Sequence, residues 1–239
     1  KVDQEIIDLL KFSIDLYHKT DGEINIAMGK VLKIWHDFRT GGIEDPSTAA
    51  LPSMELLENA SKHCDINNII IDEEASTVYL ADPEMSLDVG SIGKGYAVQK
   101  VAEYARELGY YNMVINCGGN VISIGPKPDE TDWIFGIQNP DLESENALLK
   151  KVAITDKCLV TSGDYQRYYV VDGVEYCHII DPDTLMPAEY FSAVSIITDH
   201  SGMADALSTA LFNMPYEEGL ALINSIDNTE AIWIFEDGN

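Results

Sequence analysis

Glycines at positions 90, 93 and 95 fall within six residues, with Asp88, Ser91 and Lys94 set between and before them. They separate an apolar stretch beginning at Met85 from a repeat of Val98, Val101, Ala102, Ala105 and Leu108 that Gly109 closes. The spacing predicts a short strand that turns sharply into a helix. Glycines let a backbone approach a ligand closely, and amides at a helix start favour an anion. Lys94 adds a point charge suited to phosphate. The competing reading is a tight strand-to-helix turn with a solvated lysine. The spacing is neither that of a Walker P-loop nor that of a Rossmann fingerprint.

Charge narrows the partners. Lys+Arg 15 against Asp+Glu 41 gives a net charge of −26, which repels nucleic acid and anionic membranes over most of the surface, so no nucleic-acid binding is expected. An anionic ligand then needs a local cation, either Lys94 or a metal held by carboxylates. A chain of 239 residues without a linker or low-complexity tract is expected to form one domain over residues 1–239. Cys64, Cys117, Cys158 and Cys177 form no C-x-x-C pair and sit in apolar neighbourhoods, which favours buried free thiols over disulfides or zinc. No apolar run approaches the roughly 20 residues that span a bilayer. The chain starts at Lys1, directly in a helical pattern, so an N-terminal portion is expected to precede it.

Val2, Ile6, Leu9, Leu10, Ile14 and Tyr17 form one face of a first helix, ended near Thr20-Asp21-Gly22. A shorter helix over 26–35 follows, then a loop marked by Gly41-Gly42, Pro46 and Pro52. Ser53 is placed to cap a third helix with Leu56, Leu57 and Ala60 inward. Strands are expected over 69–71, 77–80, 113–116, 121–124, 133–137, 152–155 and 193–198, the one at 113–116 buried. A polar connection that could carry a short helix joins the strands at 133–137 and 152–155. The glycine pair Gly118-Gly119 reads as a turn or bulge, or as room for a flat ligand. Asp172-Gly173 between two alternating runs signals a hairpin, which places His178 at the far end of its second strand. The chain closes with a helix over 217–223 and an edge-like strand over 231–235.

Two further residues stand out. His178 has a structural reading, but a Ser-Gly-Asp loop at 162–164 lies just before the same hairpin. Asp205 sits inside the almost wholly apolar helical run 203–212, where a carboxylate is costly unless paired or bound to metal. Thr209 lies four residues on, so both oxygens share one helix side, which suits a hard cation such as Mg²⁺. The alternative is an Asp favoured by the helix dipole with Thr209 bonding back to a carbonyl.

Taken in this order, Thr20 to Gly22, Asp88 to Tyr96, Asn116 to Asn120, Trp133 to Pro140, Thr161 to Tyr165, His178 to Pro182 and Asp205 to Thr209 resemble the ApbE family of FAD:protein FMN transferases. The resemblance covers nearly the whole chain. It implies an α+β fold with mixed, largely antiparallel sheets packed by helices, and transfer of FMN from FAD to a threonine of an acceptor protein, with release of AMP and Mg²⁺ on the diphosphate. Asp88, Lys94, Ile180 and the loop Glu23-Ile24-Asn25 would contact FAD; Ser91, Asp205, Ser208 and Thr209 would surround Mg²⁺; His178 would be the base. The acceptors implied are flavoprotein subunits of redox-driven ion pumps outside the cytoplasmic membrane. The location implied is extracytoplasmic, as a lipoprotein tethered through the missing N-terminus.

Departures from the family pattern are specific. Where the family shows Asp-Pro-x-Thr-Gly-x-Pro, this chain has Leu185 at the glycine position, so that turn is expected to differ or open. Ile24-Asn25 replaces an aromatic or leucine followed by Asp. The family's N-terminal segment, which supplies part of the FAD pocket, is absent from this sequence. Two rivals stay open: a metal-dependent FAD pyrophosphatase giving FMN and AMP, and a non-catalytic FAD-binding protein.

Overall fold

In the computed structural model, which describes residues 1–235, the apolar repeat near the start becomes α1 (Gln4–Lys19), followed by α2 (Gly29–Glu44) and α3 (Met54–Ser61). The strands β1 (Ile69–Asp72) and β2 (Thr77–Leu80) precede α4 (Gly93–Glu107). Next come β3 (Met113–Cys117), β4 (Asn120–Ile124), β5 (Trp133–Gln138), β6 (Leu148–Ile154), β7 (Cys158–Gly163), β8 (Tyr168–Val171) and β9 (Val174–Cys177). The chain ends through β10 (Ala193–Thr198), α5 (Ser201–Asn213), α6 (Tyr216–Asn224) and β11 (Glu230–Ile234). Contacts divide it into two compact units, one of Lys1–Ser91 with Gln166–Ala188 and one of Ile92–Tyr165 with the described residues from Glu189 onward.

Unit one is helical with two hairpins. Its core gathers Val31 and Trp35 of α2, Leu57 and Ala60 of α3, Tyr169 and Val171 of β8, and Ile180 and Leu185. Ser53 caps α3 by accepting from Leu56 N at 3.3 Å, and Leu57 is buried as its spacing requires. Leu56 is exposed instead of inward. The helix expected to stop near Trp35 continues to Glu44, so Gly41-Gly42 is helix and not loop. Gly42 is where α2 meets the β8 ring: a Cβ there would stand 2.7 Å from Tyr169 Cδ2. Packing against an aromatic face outweighs the intrinsic cost of about 1 kcal/mol for a helical glycine.

The stretch before α4 is not a strand. It makes one parallel bridge, Met28 to Ser86, with Gly29 N donating to Ser86 O at 3.2 Å and Asp88 N to Ile26 O at 2.8 Å. Side chains pin its start: Lys30 pairs with Glu84 at 2.6 Å and His63 Nδ1 with Asp82 at 2.7 Å.

Unit two is built on a five-stranded antiparallel sheet in the order β11-β10-β7-β4-β3, with β5 and β6 pairing separately. All of β4 is buried, whereas β3, expected buried, is a half-exposed edge, because β4 lies between β7 and β3 while β3 has a neighbour on one side alone. Helix α5 packs on β4, β7 and β10, and α4 packs on α5 and β4. Leu207, Leu211 and Phe212 of α5 are fully buried, each contributing about 1.5–3 kcal/mol. On α4, Val98, Ala102 and Ala105 are buried as expected, while Val101 and Leu108 are exposed. Gly109 ends the helix at φ +79, with Tyr110 N donating to Ala105 O.

Gly118-Gly119 and Asp172-Gly173 all have positive φ and close two-residue hairpins, as primed turns demand. The turn reading of Gly118-Gly119 is thus sufficient. All four cysteines are free, Cys158 and Cys177 buried, Cys64 half-buried and Cys117 exposed at its hairpin end, contrary to expectation. Burial pushes the Cys158 thiol up to about 12, so it is inert packing that donates to Thr198 O. The connection between β5 and β6 holds turns and no helix.

Candidate functional site

The carboxylate of Asp205 is the centre of unit two's polar chemistry. The α5 sequence is small and apolar around it, so the helix buries nearly its whole circumference and takes Asp205 inward with it. Two donors meet the carboxylate, both from the first turn of α4. Lys94 Nζ lies 3.0 Å from Oδ1, and Gly95 N donates to Oδ2 at 2.7 Å. Gly95 is a packing necessity: a Cβ there would collide with Ser201 O and stand 2.6 Å from Asp205 Cβ. The glycine read as room for a ligand is therefore room for α5.

Hydroxyls line the next turn. Ser208 Oγ donates to Asp205 O at 2.9 Å and Thr209 Oγ1 to the same carbonyl at 3.3 Å, the back-bonding weighed for Thr209 from sequence. Ser162 on β7 shares hydrogen bonds with Ser208 Oγ at 2.8 Å and Thr209 Oγ1 at 3.3 Å. Ser162 was visible only as part of the Ser-Gly-Asp loop; its role depends on β7 lying under α5, which no local spacing reports. The start of α5 is tied by Gln99 Oε1, which accepts from Ser201 N, and by Asn120 Oδ1, which accepts from Ser201 Oγ. His200 caps the same helix, its Nδ1 accepting from Met203 N at 3.2 Å, and burial lowers its pKa from 6.5.

Among the described residues no three of His, Cys, Asp and Glu cluster as metal ligands. One carboxylate with three hydroxyls nonetheless fits Mg²⁺ in kind, since that ion takes oxygen only, needs few protein ligands and keeps the rest for water or phosphate. The hydroxyl protons of Ser208 and Thr209 point to a carbonyl, which leaves oxygen lone pairs for a cation.

The other sequence candidates lie in unit one. Thr20 ends α1, its hydroxyl donating to Leu16 O and accepting from Ile24 N at 3.2 Å, while Asp21 and Gly22 turn at φ 51 and 97. Behind that turn Glu23 is half-buried and Ile24 is buried in the core. Asn25 spends its side chain on the fold, donating to Cys64 O and accepting from Ala27 N, both at 2.9 Å. Asp88 is exposed and its Oδ1 accepts from Gly90 N at 2.7 Å. Ser91, half-buried, is the last residue of the unit's first segment.

His178 is half-buried immediately after β9, and Ile180 is buried, bridged to Pro187. The turn that follows was expected to differ or open because Leu185 stands where glycine would. It stays closed. Leu185 adopts φ 61, Leu185 N donates to Asp181 O and Asp181 N to Met186 O, both at 2.9 Å. Asp181 Oδ1 accepts from Asp183 N and Thr184 N, and Trp35 Nε1 donates to Leu185 O at 2.9 Å. The leucine side chain is buried among Trp35, Leu57 and Ile180, and that burial offsets a left-handed backbone costing about 1–3 kcal/mol.

Comparison with known proteins gives the family and the fold. A model described as the ApbE family matches residues 1–233. The FAD:protein FMN transferase of Treponema pallidum is 32% identical over 99% of this chain and 67% of that protein, and one from Klebsiella pneumoniae 31% over 90% and 64%. This chain thus spans about two thirds of the length of such relatives. Among solved structures, the ApbE protein from Thermotoga maritima superposes at TM-score 0.86 and 31% identity, covering 100% of this chain and 75% of that one. The flavin transferase ApbE from Vibrio cholerae does so at 0.82 and 26%, covering 98% and 72%. These likenesses agree with the α+β, largely antiparallel fold read from the sequence.

Proposed function

Because this chain belongs to the ApbE family, we propose that it is the greater part of a flavin transferase that moves FMN from FAD onto a threonine of an acceptor protein and releases AMP. Within the chain, the observation that carries the reading is the buried Asp205, held by Lys94 and Gly95 N and followed by the hydroxyls of Ser208 and Thr209. In an acidic protein of net charge −26, a carboxylate buried in the core and met by a lysine that reaches it from the surface is suited to handling a metal and an anion.

In the proposed reaction the threonine oxygen bonds to the FMN phosphorus and the bridging P–O bond breaks. The electron pair leaves with the AMP phosphate, and the hydroxyl proton passes to His178. A neutral imidazole is suited to this, since its ordinary pKa lies near 6.5 and a threonine hydroxyl is a weak nucleophile without a base. Lys94 neutralises charge on the diphosphate, and Glu23, Asp88 and the backbone around Ile24 and Ile180 bind FAD. The side chains of Ile24 and Asn25 are committed to the fold, so that loop acts through its backbone and shape. Asp205, Ser208 and Thr209 would hold Mg²⁺, which supplies Lewis-acid neutralisation of the diphosphate oxygens.

The acceptors proposed are subunits of redox-driven ion pumps outside the cytoplasmic membrane, with the enzyme held there as a lipoprotein. No helix among the described residues is long and apolar enough to cross a membrane. The test is to incubate the full-length protein with FAD, Mg²⁺ and a candidate acceptor domain and weigh the acceptor. A gain of one FMN on a threonine with release of AMP supports the reading. AMP release with FMN left free would instead establish a pyrophosphatase, and FAD that stays intact with every acceptor would establish a binding protein.

A further inference from the structure

Asp205 has one donor that cannot move and one that can. Gly95 N is fixed, because α4 and α5 touch there with no space for even a methyl group. Lys94 is different in kind: its side chain is 42% exposed on a flexible four-carbon stem, whereas the Asp205 side chain it meets is 5% exposed. A carboxylate this buried requires a neutralising cation. In the structure that cation is the lysine, 3.0 Å from Oδ1. A divalent ion on the same carboxylate would sit about 2.1 Å from its oxygen, which places an ammonium and a dication side by side on one charge. The two cations repel, and only the lysine can retreat to solvent.

We propose that Lys94 is the resident counter-ion of Asp205 in the metal-free protein and that a divalent cation replaces it, driving the ammonium off the carboxylate. This rests on the reading of Asp205, Ser208 and Thr209 as oxygen ligands of that cation. The buried charge is then never bare, and the hydroxyls of Ser162, Ser208 and Thr209 are already in place when the ion arrives. A second consequence is coupling. The lysine that the ion displaces is the cation the anionic diphosphate needs, so metal occupancy frees the group that recruits the substrate. The same side chain therefore imposes an order, metal first and diphosphate second, without any change of backbone.

Amine labelling tests the exchange directly. The full-length protein, free of FAD, is reductively methylated with and without saturating Mg²⁺, and the lysines are quantified by peptide mass spectrometry, with binding followed by calorimetry. Lys94 is expected to label about tenfold faster with Mg²⁺, by the loss of a pairing worth one decade in equilibrium constant, while Lys33 and Lys62 keep their rates. In Asp205→Asn, Lys94 should label rapidly from the start and ignore Mg²⁺. Lys94→Met should bind Mg²⁺ more tightly than the unaltered protein. Calorimetric binding of Mg²⁺ with unchanged or slower Lys94 labelling would overturn the exchange and leave the metal site standing. Absence of any Mg²⁺ binding to the unaltered protein would overturn the metal reading and the exchange together. The labelling comparison needs no variant, so a misfolded Asp205→Asn would not rescue the idea.

Discussion

Unit two carries its polar chemistry on regular elements, with Lys94 on α4, Asp205, Ser208 and Thr209 on α5 and Ser162 on β7. Unit one carries its share in turns: Glu23 to Asn25 after α1, Asp88 after a single bridge, and His178 to Leu185 after β9. Side chains on packed helices are located by burial, so their distances follow from how closely the helices approach. Side chains in turns are located by backbone conformation, so what holds them is a series of caps and left-handed residues such as Asp21, Gly22 and Leu185. The two regions should therefore fail differently when perturbed.

The largest effect is expected at the turn residue assigned to chemistry. His178→Ala in the full-length protein should lower kcat for FMN transfer by about 10² to 10⁴, the usual loss of a general base, while FAD affinity stays nearly unchanged. An equal loss in both would make His178 a binding residue and erase the contrast with Lys94.

On the helical side, Gly95→Ala forces a methyl group against Ser201 O and Asp205 Cβ and should cost about 3 kcal/mol of stability, read as a lower denaturant midpoint. A neutral result would mean that α4 and α5 can separate freely, and the location of Asp205 would not depend on their contact.

Leu185→Gly sharpens the comparison because it opposes the two kinds of control in one residue. Relieving the left-handed backbone returns about 1 kcal/mol, and losing a buried leucine side chain removes about 3, so a net loss near 2 kcal/mol is expected. A more stable variant would show that the turn is governed by backbone strain after all.

The smallest effect concerns the cap of α5. Burial lowers the His200 pKa from 6.5, so on acidification the unfolded chain takes up the proton before the folded one. Its contribution is therefore complete above about pH 6.5 and lost as the pH falls below that value, by roughly 1 kcal/mol, the worth of a helix cap whose acceptor nitrogen has been protonated. His200→Asn keeps an acceptor without titrating and should flatten this part of the stability profile between pH 5 and 7.

Much of this was legible in the chain. Ser53 as a cap, Asp172-Gly173 as a turn and the α5 repeat around Asp205 are local signals, each settled by a few neighbouring residues. Where reading failed, the deciding partner was distant in sequence. Gly42 belongs to a helix because Tyr169 lies on it; β3 is exposed because it is the sheet edge; the turn at Leu185 stays closed because Trp35 and its core neighbours receive that side chain. The sequence by itself determined that Asp205 lies inside an apolar helical repeat, where a carboxylate is costly unless it is paired, bound to metal or favoured by the helix dipole. Only the tertiary structure decided which cation holds it in the metal-free protein, because Lys94 precedes Asp205 by 111 residues and reaches it solely where α4 crosses α5 at a glycine.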